Sequence, residues 1–317
     1  MAAPDFTVSR FGSVNGSGDA EALFLKQWSG EVLTSFHEMN VTDDKHLIRT
    51  IASGKSAQFP ATGVVTAAYH TPGAYLVGQS VNSNEVVISI DDLLVADVFV
   101  DTLDDAMNHF DMRSIYTSEA ALALSEQQDR HVLQQGYIAA AASATITGGD
   151  AGTEITDADA STNGSSLAGS LFDAAQALDE NKVTEMDRFA FVKPAQYYLL
   201  VQTTDAINRD WGGSGAYSEG KIFRVAGLNI VKTNNLANGS DISTAPGHGD
   251  ADARHAVNAT NYVALVMQKA AVGTVRLIGL QNEMAYVIQN QGHLIISKYA
   301  QGHSALRPEC AALIKTS

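Results

Sequence analysis

Several short stretches of the 317-residue sequence carry side chains capable of chemistry. Ser53-Gly54-Lys55-Ser56 matches the end of a phosphate-binding loop, in which backbone amides and a lysine cradle phosphates. That loop needs a glycine five residues before its Gly-Lys pair, and the position holds Arg49, so the cradle is not encoded. His248, Asp250, Asp252 and His255 offer metal-capable ligands among glycines. A calcium loop needs more oxygen ligands and a closing glutamate, so the expectation is a solvated loop between 234 and 258. His37-Glu38 lacks the second histidine of a zinc helix. Gly212-Gly213-Ser214-Gly215 lacks the last glycine of a nucleophile elbow. Cys310, the single cysteine, precedes the apolar run Ala311 to Ile314 and reads as a small buried hydrophobe. No stretch assembles a nucleophile, a base and an orienting group, so no catalytic residue, cofactor or metal is expected.

Composition narrows the classes further. Hydrophobic residues make up 45% of the chain and charged residues 17%, which suits a large folded core. There is no run of 18 apolar residues, and no membrane-spanning helix is expected. The first residues, Met1 to Phe6, have neither a basic start nor an apolar centre, so no signal peptide is expected. A lone cysteine cannot form an internal disulfide, in keeping with a reducing compartment. The formal net charge of −15 argues against nucleic-acid binding, which relies on basic patches that displace counterions from phosphates.

The elements that must position these residues follow from spacing. Residues 1–20, rich in Gly, Ser and Asn, bury little. Ala22 to Phe36 fits one or two short helical turns broken at Gly30. Residues 45–95 read as extended, with β-prone runs at Val64 to Tyr69 and Val86 to Ile90 and turn signals between them. The reading is a two-stranded ribbon with a tip near 70–84. Such a ribbon is marginal alone in water and needs a neighbour to lean on. No proline falls between Pro72 and Pro194, and residues 102–143 carry a helical pattern. Thr102 is placed to cap that helix, Asp104 and Asp105 suit its first turn, Met107 and Phe110 read as core, and a bend is expected near Ser125. A continuous helix of that span would be about 60 Å long.

Residues 144–166 read as a loop. A helix follows, with Ala168, Leu171, Phe172, Ala175 and Leu178 on one face. Then come a strand at Phe189 to Val192, a helix opened by Pro194, and a hairpin about Ala226-Gly227. A strand follows at Tyr262 to Met267, and the chain is mostly extended from 275 to 315. The class is mixed α+β.

Several blocks of residues, in order along the chain, are similar to the major capsid proteins of T7-like short-tailed bacteriophages (podoviruses). They are Ala22-Leu-Phe-Leu-Lys26 with Gly30-Glu-Val-Leu-Thr34, and Ser53-Gly-Lys-Ser-Ala-Gln-Phe-Pro60. Next come Ala96-Asp-Val98, Asp105-Ala-Met-Asn-His109, Asp111, Arg113-Ser114 and Tyr116-Thr-Ser118. The last are Ala271-Val-Gly-Thr-Val-Arg-Leu277, Lys298-Tyr-Ala300, Gly302-His303 and Leu306-Arg-Pro-Glu309. Residues 140–260 resemble that family much less.

The resemblance implies the Hong Kong 97-type capsid fold. Its parts would be an N-terminal arm at 1–45, an extended β-hairpin loop at 46–95, and a peripheral domain with a spine helix at 96–143. An axial domain would occupy 144–272, and strands at 273–317 would return to the peripheral domain. It also implies a subunit that assembles as hexamers and pentamers into an icosahedral head around double-stranded DNA, a component of the virion built in the host cytoplasm. The partners implied are copies of the chain, a scaffolding protein, a portal, and DNA enclosed without sequence-specific binding; no membrane is involved. The blocks place candidate interface residues at Lys55, Gln58 and Phe59 in the loop and at Asp105, His109, Asp111 and Arg113 on the spine. Asp105 reads equally as a charge suited to a helix N-terminus. The alternatives are a nanocompartment shell of the same fold, an enzyme with an unrecognised site, and a tail or scaffolding protein.

Overall fold

A computed structural model of the chain describes residues 40–76, 78–107, 112–203, 215–216, 221–222, 224–243 and 253–317. The strands are β1 (Leu47–Thr50), β2 (Ser56–Thr62), β3 (Ser83–Ser89), β4 (Leu94–Asp101), β5 (Thr153–Thr156), β6 (Arg188–Val192), β7 (Gly215–Ala216), β8 (Lys221–Ile222), β9 (Arg224–Val225), β10 (Leu228–Lys232), β11 (Tyr262–Gln268), β12 (Val272–Val287), β13 (Gly292–Ala305) and β14 (Ala311–Lys315). The helices are α1 (Thr102–Met107), α2 (Met112–Ala141), α3 (Gly164–Glu180) and α4 (Pro194–Gln202). Among the described residues no helix is long and apolar enough to cross a membrane. The chain divides into two compact units. Of the described residues, one unit holds those within Asp92–Gln128 and Ile278–Gln301, and the other those within Asn40–Asp91, Asp129–Leu277 and Gly302–Ser317.

The larger unit is built on a six-stranded sheet of order β5-β14-β11-β6-β10-β9. Its strands alternate between two cores. Ala190, Val192, Ala264, Val266, Ala312 and Ile314 point to one face, where they meet Leu167, Leu171, Ala174 and Leu178 of α3 and Leu200 of α4. Phe191, Leu265, Met267, Ala311 and Leu313 point to the other face, against Val132, Leu133 and Tyr137 of α2. A sheet covered on both faces explains why Tyr262 to Met267 is apolar without alternation. The β9–β10 turn is Ala226-Gly227, both at positive φ, as a tight hairpin requires. Pro194 opens α4, where its missing N–H costs nothing. Cys310 is buried in the second core, and burial pushes its thiol pKa up to about 11.

The smaller unit pairs β4 antiparallel with β13, from Leu94↔Tyr299 to Asp101↔Gly292. Phe99, Val100, Ile295, Tyr299 and Ala300 are buried apolar residues of its strands, Ser297 and Gln301 are buried polar ones, and Ala120 and Leu124 of α2 are buried too.

Several expectations change. The cap of α1 is Asp101, whose Oδ1 accepts from the Leu103 amide at 2.7 Å, and Thr102 is the first helical residue. A carboxylate is the stronger choice there because it also complements the helix dipole. α2 runs unbroken through Ser125; α1 covers Thr102–Met107, and 108–111 lie outside the described residues. Met107 is exposed, not core, and Phe110 lies outside the described residues. Phe172 is 60% exposed, and Leu167 and Ala174 take its expected place on the buried face of α3. The span 144–166 contains β5, which holds one large apolar residue, Ile155, and exists by pairing with β14.

Candidate functional site

The β2–β3 ribbon of the larger unit is largely exposed, with Ala57 and Ile88 its buried residues. Its strands pair antiparallel from Ser56↔Ser89 to Thr62↔Ser83. One further bond, Gly63 N to Asn82 O at 2.7 Å, extends the ladder. The span 63–82 connects the strands and presents Val64 (87% exposed), Tyr69 (105%), Tyr75 (96%) and Leu76 (85%) to solvent. The β-prone run Val64 to Tyr69 is therefore not a strand here, and the strand before the tip is Ser56–Thr62. β-propensity reflects packing against cross-strand neighbours, and here the cross-ribbon contact is polar, with Thr66 bonded to the Gln79 side chain while Val64, Val65 and Tyr69 stay exposed. So many large apolar side chains in one projecting segment mark an interaction surface.

The sequence-derived candidates fall in different places. Lys55 is exposed at the ribbon's root, where its carbonyl accepts from the Ile90 amide at 2.8 Å. Its Ser-Gly-Lys-Ser stretch leads into a strand, whereas a phosphate loop opens a helix. Gln58 is exposed opposite Val87, and its carbonyl accepts from Arg49 Nη1 at 3.2 Å. Phe59 is half-buried, with the Arg49 guanidinium 5.5 Å from its ring centroid, within cation–π range. The structure thus brings Gln58 and Phe59 together through Arg49, a residue the sequence offered only as a missing glycine. Asp105 lies in α1 and Arg113 in α2, with side chains outside what is described. His109 and Asp111 lie outside the described residues.

A second constellation sits under the ribbon. His255 is fully buried in the turn Ala253–His255, which corrects its reading as part of a solvated loop; His248, Asp250 and Asp252 lie outside the described residues. Its Nε2 is 3.0 Å from Asp91 Oδ2, and its Nδ1 is 3.1 Å from Gln135 Nε2. Gln135 also donates to the Arg254 carbonyl at 2.7 Å. Arg254 Nη2 approaches Asp91 Oδ1 at 2.6 Å, an ion contact off hydrogen-bond alignment, and Arg254 Nη1 donates to the Ser89 carbonyl at 3.0 Å. The His131 ring stacks on His255 at 4.2 Å with planes 10° apart, and His303 lies about 6 Å from both. Thr274 Oγ1 is 2.8 Å from His303 Nδ1. Burial, then the neighbouring His131 and His255, hold the His303 pKa well below the ordinary histidine value. Burial also lowers the pKa of His46.

Asp91, His131 and His255 bring three potential metal-ligand atoms within 4.8 Å. They do not fit a metal well. A metal lies in the plane of each imidazole that binds it, and two stacked, near-parallel rings do not share such a point. Gln135, with its amide nitrogen on His255 Nδ1, leaves the Nε2 proton directed at Asp91, and Arg254 already neutralises that carboxylate. The arrangement is a hydrogen-bonded network joining segments far apart in sequence, and no local motif announces it. The sequence offers His255 as one of four metal-capable residues, and Thr274 and His303 within blocks of family likeness.

Residues 58–315 match the family described as Gp10A-like: Major capsid protein. The major capsid protein of Escherichia phage T7 is 34% identical over an alignment spanning 95% of this chain and 94% of that one. In the capsid structure of the cyanophage P-SCSP1u, a chain of 40% identity superposes with a TM-score of 0.83, covering 99% of each. The mature capsid of bacteriophage PhiM1 supplies a fold match alone, at 19% identity and a TM-score of 0.74 over 98% and 97% of the two chains. The projecting ribbon and the doubly covered sheet are thus features of a phage shell subunit of Hong Kong 97-type fold, and the chain belongs to the Gp10A-like major capsid protein family.

Proposed function

We propose that copies of this chain associate as hexamers and pentamers into an icosahedral head that encloses double-stranded DNA. The observation that carries this reading is the ribbon tip, where Val64, Tyr69, Tyr75 and Leu76 are almost wholly exposed in the single subunit. Burying such side chains against another copy releases about 1.5–3 kcal/mol each before ordering costs. Many weak contacts per subunit then add by avidity, and individual misplaced subunits can still leave. In this reading 1–45 is the arm, 46–95 the extended loop, 96–143 with 273–317 the peripheral domain, and 144–272 the axial domain. A scaffolding protein and a portal take part in assembly in the host cytoplasm. Heterologous contacts that close into rings give the shell its closure. The likeness to phage capsid proteins favours this reading over a nanocompartment shell.

Replacing 64–81 with a short Asn-Gly turn tests it. The variant is expected to melt cooperatively like the parent, because the segment adds little core, and to give no regular shells by negative-stain microscopy. Normal shells from that variant would overturn the reading.

A further inference from the structure

We infer that Asp91, Arg254 and His255 form a latch that sets the direction in which the β2–β3 ribbon leaves its unit, making them positioning residues for assembly. The inference rests on the proposed docking of that ribbon on a neighbouring copy.

The ribbon is attached at its root in two ways. The first is apolar: Ala57 and Ile88 pack with Val275 and Leu306, joined by the half-buried Ile51, Phe59, Val86 and Ile90. Apolar burial is non-directional, so this small cluster holds the root in place without fixing an angle. The second attachment is polar and directional. Arg254 donates to the carbonyl of Ser89, the last residue of β3, and both Arg254 and His255 hold Asp91 two residues on. Gln135, on α2, bonds to the Arg254 carbonyl and to His255, tying the latch to the helix that backs the sheet. The chain also keeps room for this seat. A Cβ at Gly302 would overlap the Ser89 carbonyl and crowd Ile90 Cα, so β13 can pass the root only as glycine.

The contacts are placed where an angle is decided. Beyond the root, Arg49 Nη1 donates to the Gln58 carbonyl, and Asn82 and Asn84 donate to the Thr147 and Thr145 carbonyls, all three in exposed positions. A small tilt at Ser89 is carried outward along β2 and β3, and shifts Tyr69 and Tyr75 relative to any neighbouring surface. Asp91 is mostly shielded and His255 fully buried, so their bond is little screened by solvent.

Asp91→Asn and Arg254→Gln, each with a tip control, Tyr69→Ser/Tyr75→Ser, test the latch. Three quantities are read: the melting temperature of the unassembled subunit, hydrogen exchange of amides in 56–62 and 83–90, and the yield and size distribution of shells. Both latch variants are expected to keep the parent's melting temperature within a few degrees, exchange root amides about tenfold faster, and give fewer shells of mixed size. The tip control is expected to leave root exchange unchanged and to lose shells. Parental exchange and parental shells in both latch variants would overturn the latch. Loss of cooperative melting in both would overturn it too, making the cluster part of the core. Normal shells from the tip control would instead overturn the docking reading.

Discussion

His303 shows how one residue can look like chemistry and serve structure. It sits fully buried with Thr274 on one nitrogen, facing His46, His131, His255 and Arg276, and Asp91 lies beyond His255. Its pKa is lowered in the folded protein, first by burial and then by those neighbours. As pH falls below the ordinary histidine value of about 6.5, the unfolded chain therefore takes up protons before the folded one does. Stability from His303 is fully present above that value and is lost as pH falls towards its lower folded value. His46, buried with Nδ1 on the Thr42 carbonyl, adds in the same sense. The unassembled subunit is expected to melt several degrees lower at pH 5 than at pH 7.5, and His303→Gln to flatten that slope, as read by circular dichroism. A parent with equal melting temperatures would contradict this. Sequence could not supply this cluster, because Asp91, His131, His255 and His303 come from four distant segments and share no spacing. Cys310 was legible because its neighbours Ala311 to Ile314 announce a buried strand.

Elements were legible where a pattern or a turn residue spoke for itself. β6, α4, the β9–β10 hairpin and β11 follow from apolar runs punctuated by Pro194 and Ala226-Gly227. β5 was missed because Thr153–Thr156 carries a single large apolar side chain and owes its conformation to the neighbouring β14. The ribbon was read in kind but not in register. Val64 to Tyr69 has strand composition, yet the paired strand is Ser56–Thr62, with Pro60 at a ribbon edge that tolerates a missing donor. The misplacement of Phe172 has a similar cause. Apolar spacing along α3 predicts a stripe, but the stripe that packs is centred on Leu167, Leu171 and Leu178, leaving Phe172 outward. In both places the apolar residues the sequence assigned to the subunit's own structure lie on its surface, which is where a shell protein meets its copies.

For the whole molecule, the net charge of −15 and the exposed apolar ribbon point the same way. On the proposed function, an acidic subunit that repels phosphates would let the shell enclose DNA without adhering to it. Passed over a DNA column at low salt, the subunit is expected to flow through; tight retention would refute that account. On the proposed function, association depends on surface the isolated chain leaves bare, with Val64, Tyr69, Tyr75 and Leu76 foremost. Hydrogen exchange across 63–82, compared between unassembled subunits and assembled shells, tests this most directly. The account predicts fast exchange in the subunit and strong protection in the shell, concentrated between Val64 and Leu76. Equal exchange in the two states would mean that the ribbon tip meets no neighbour, and would contradict it.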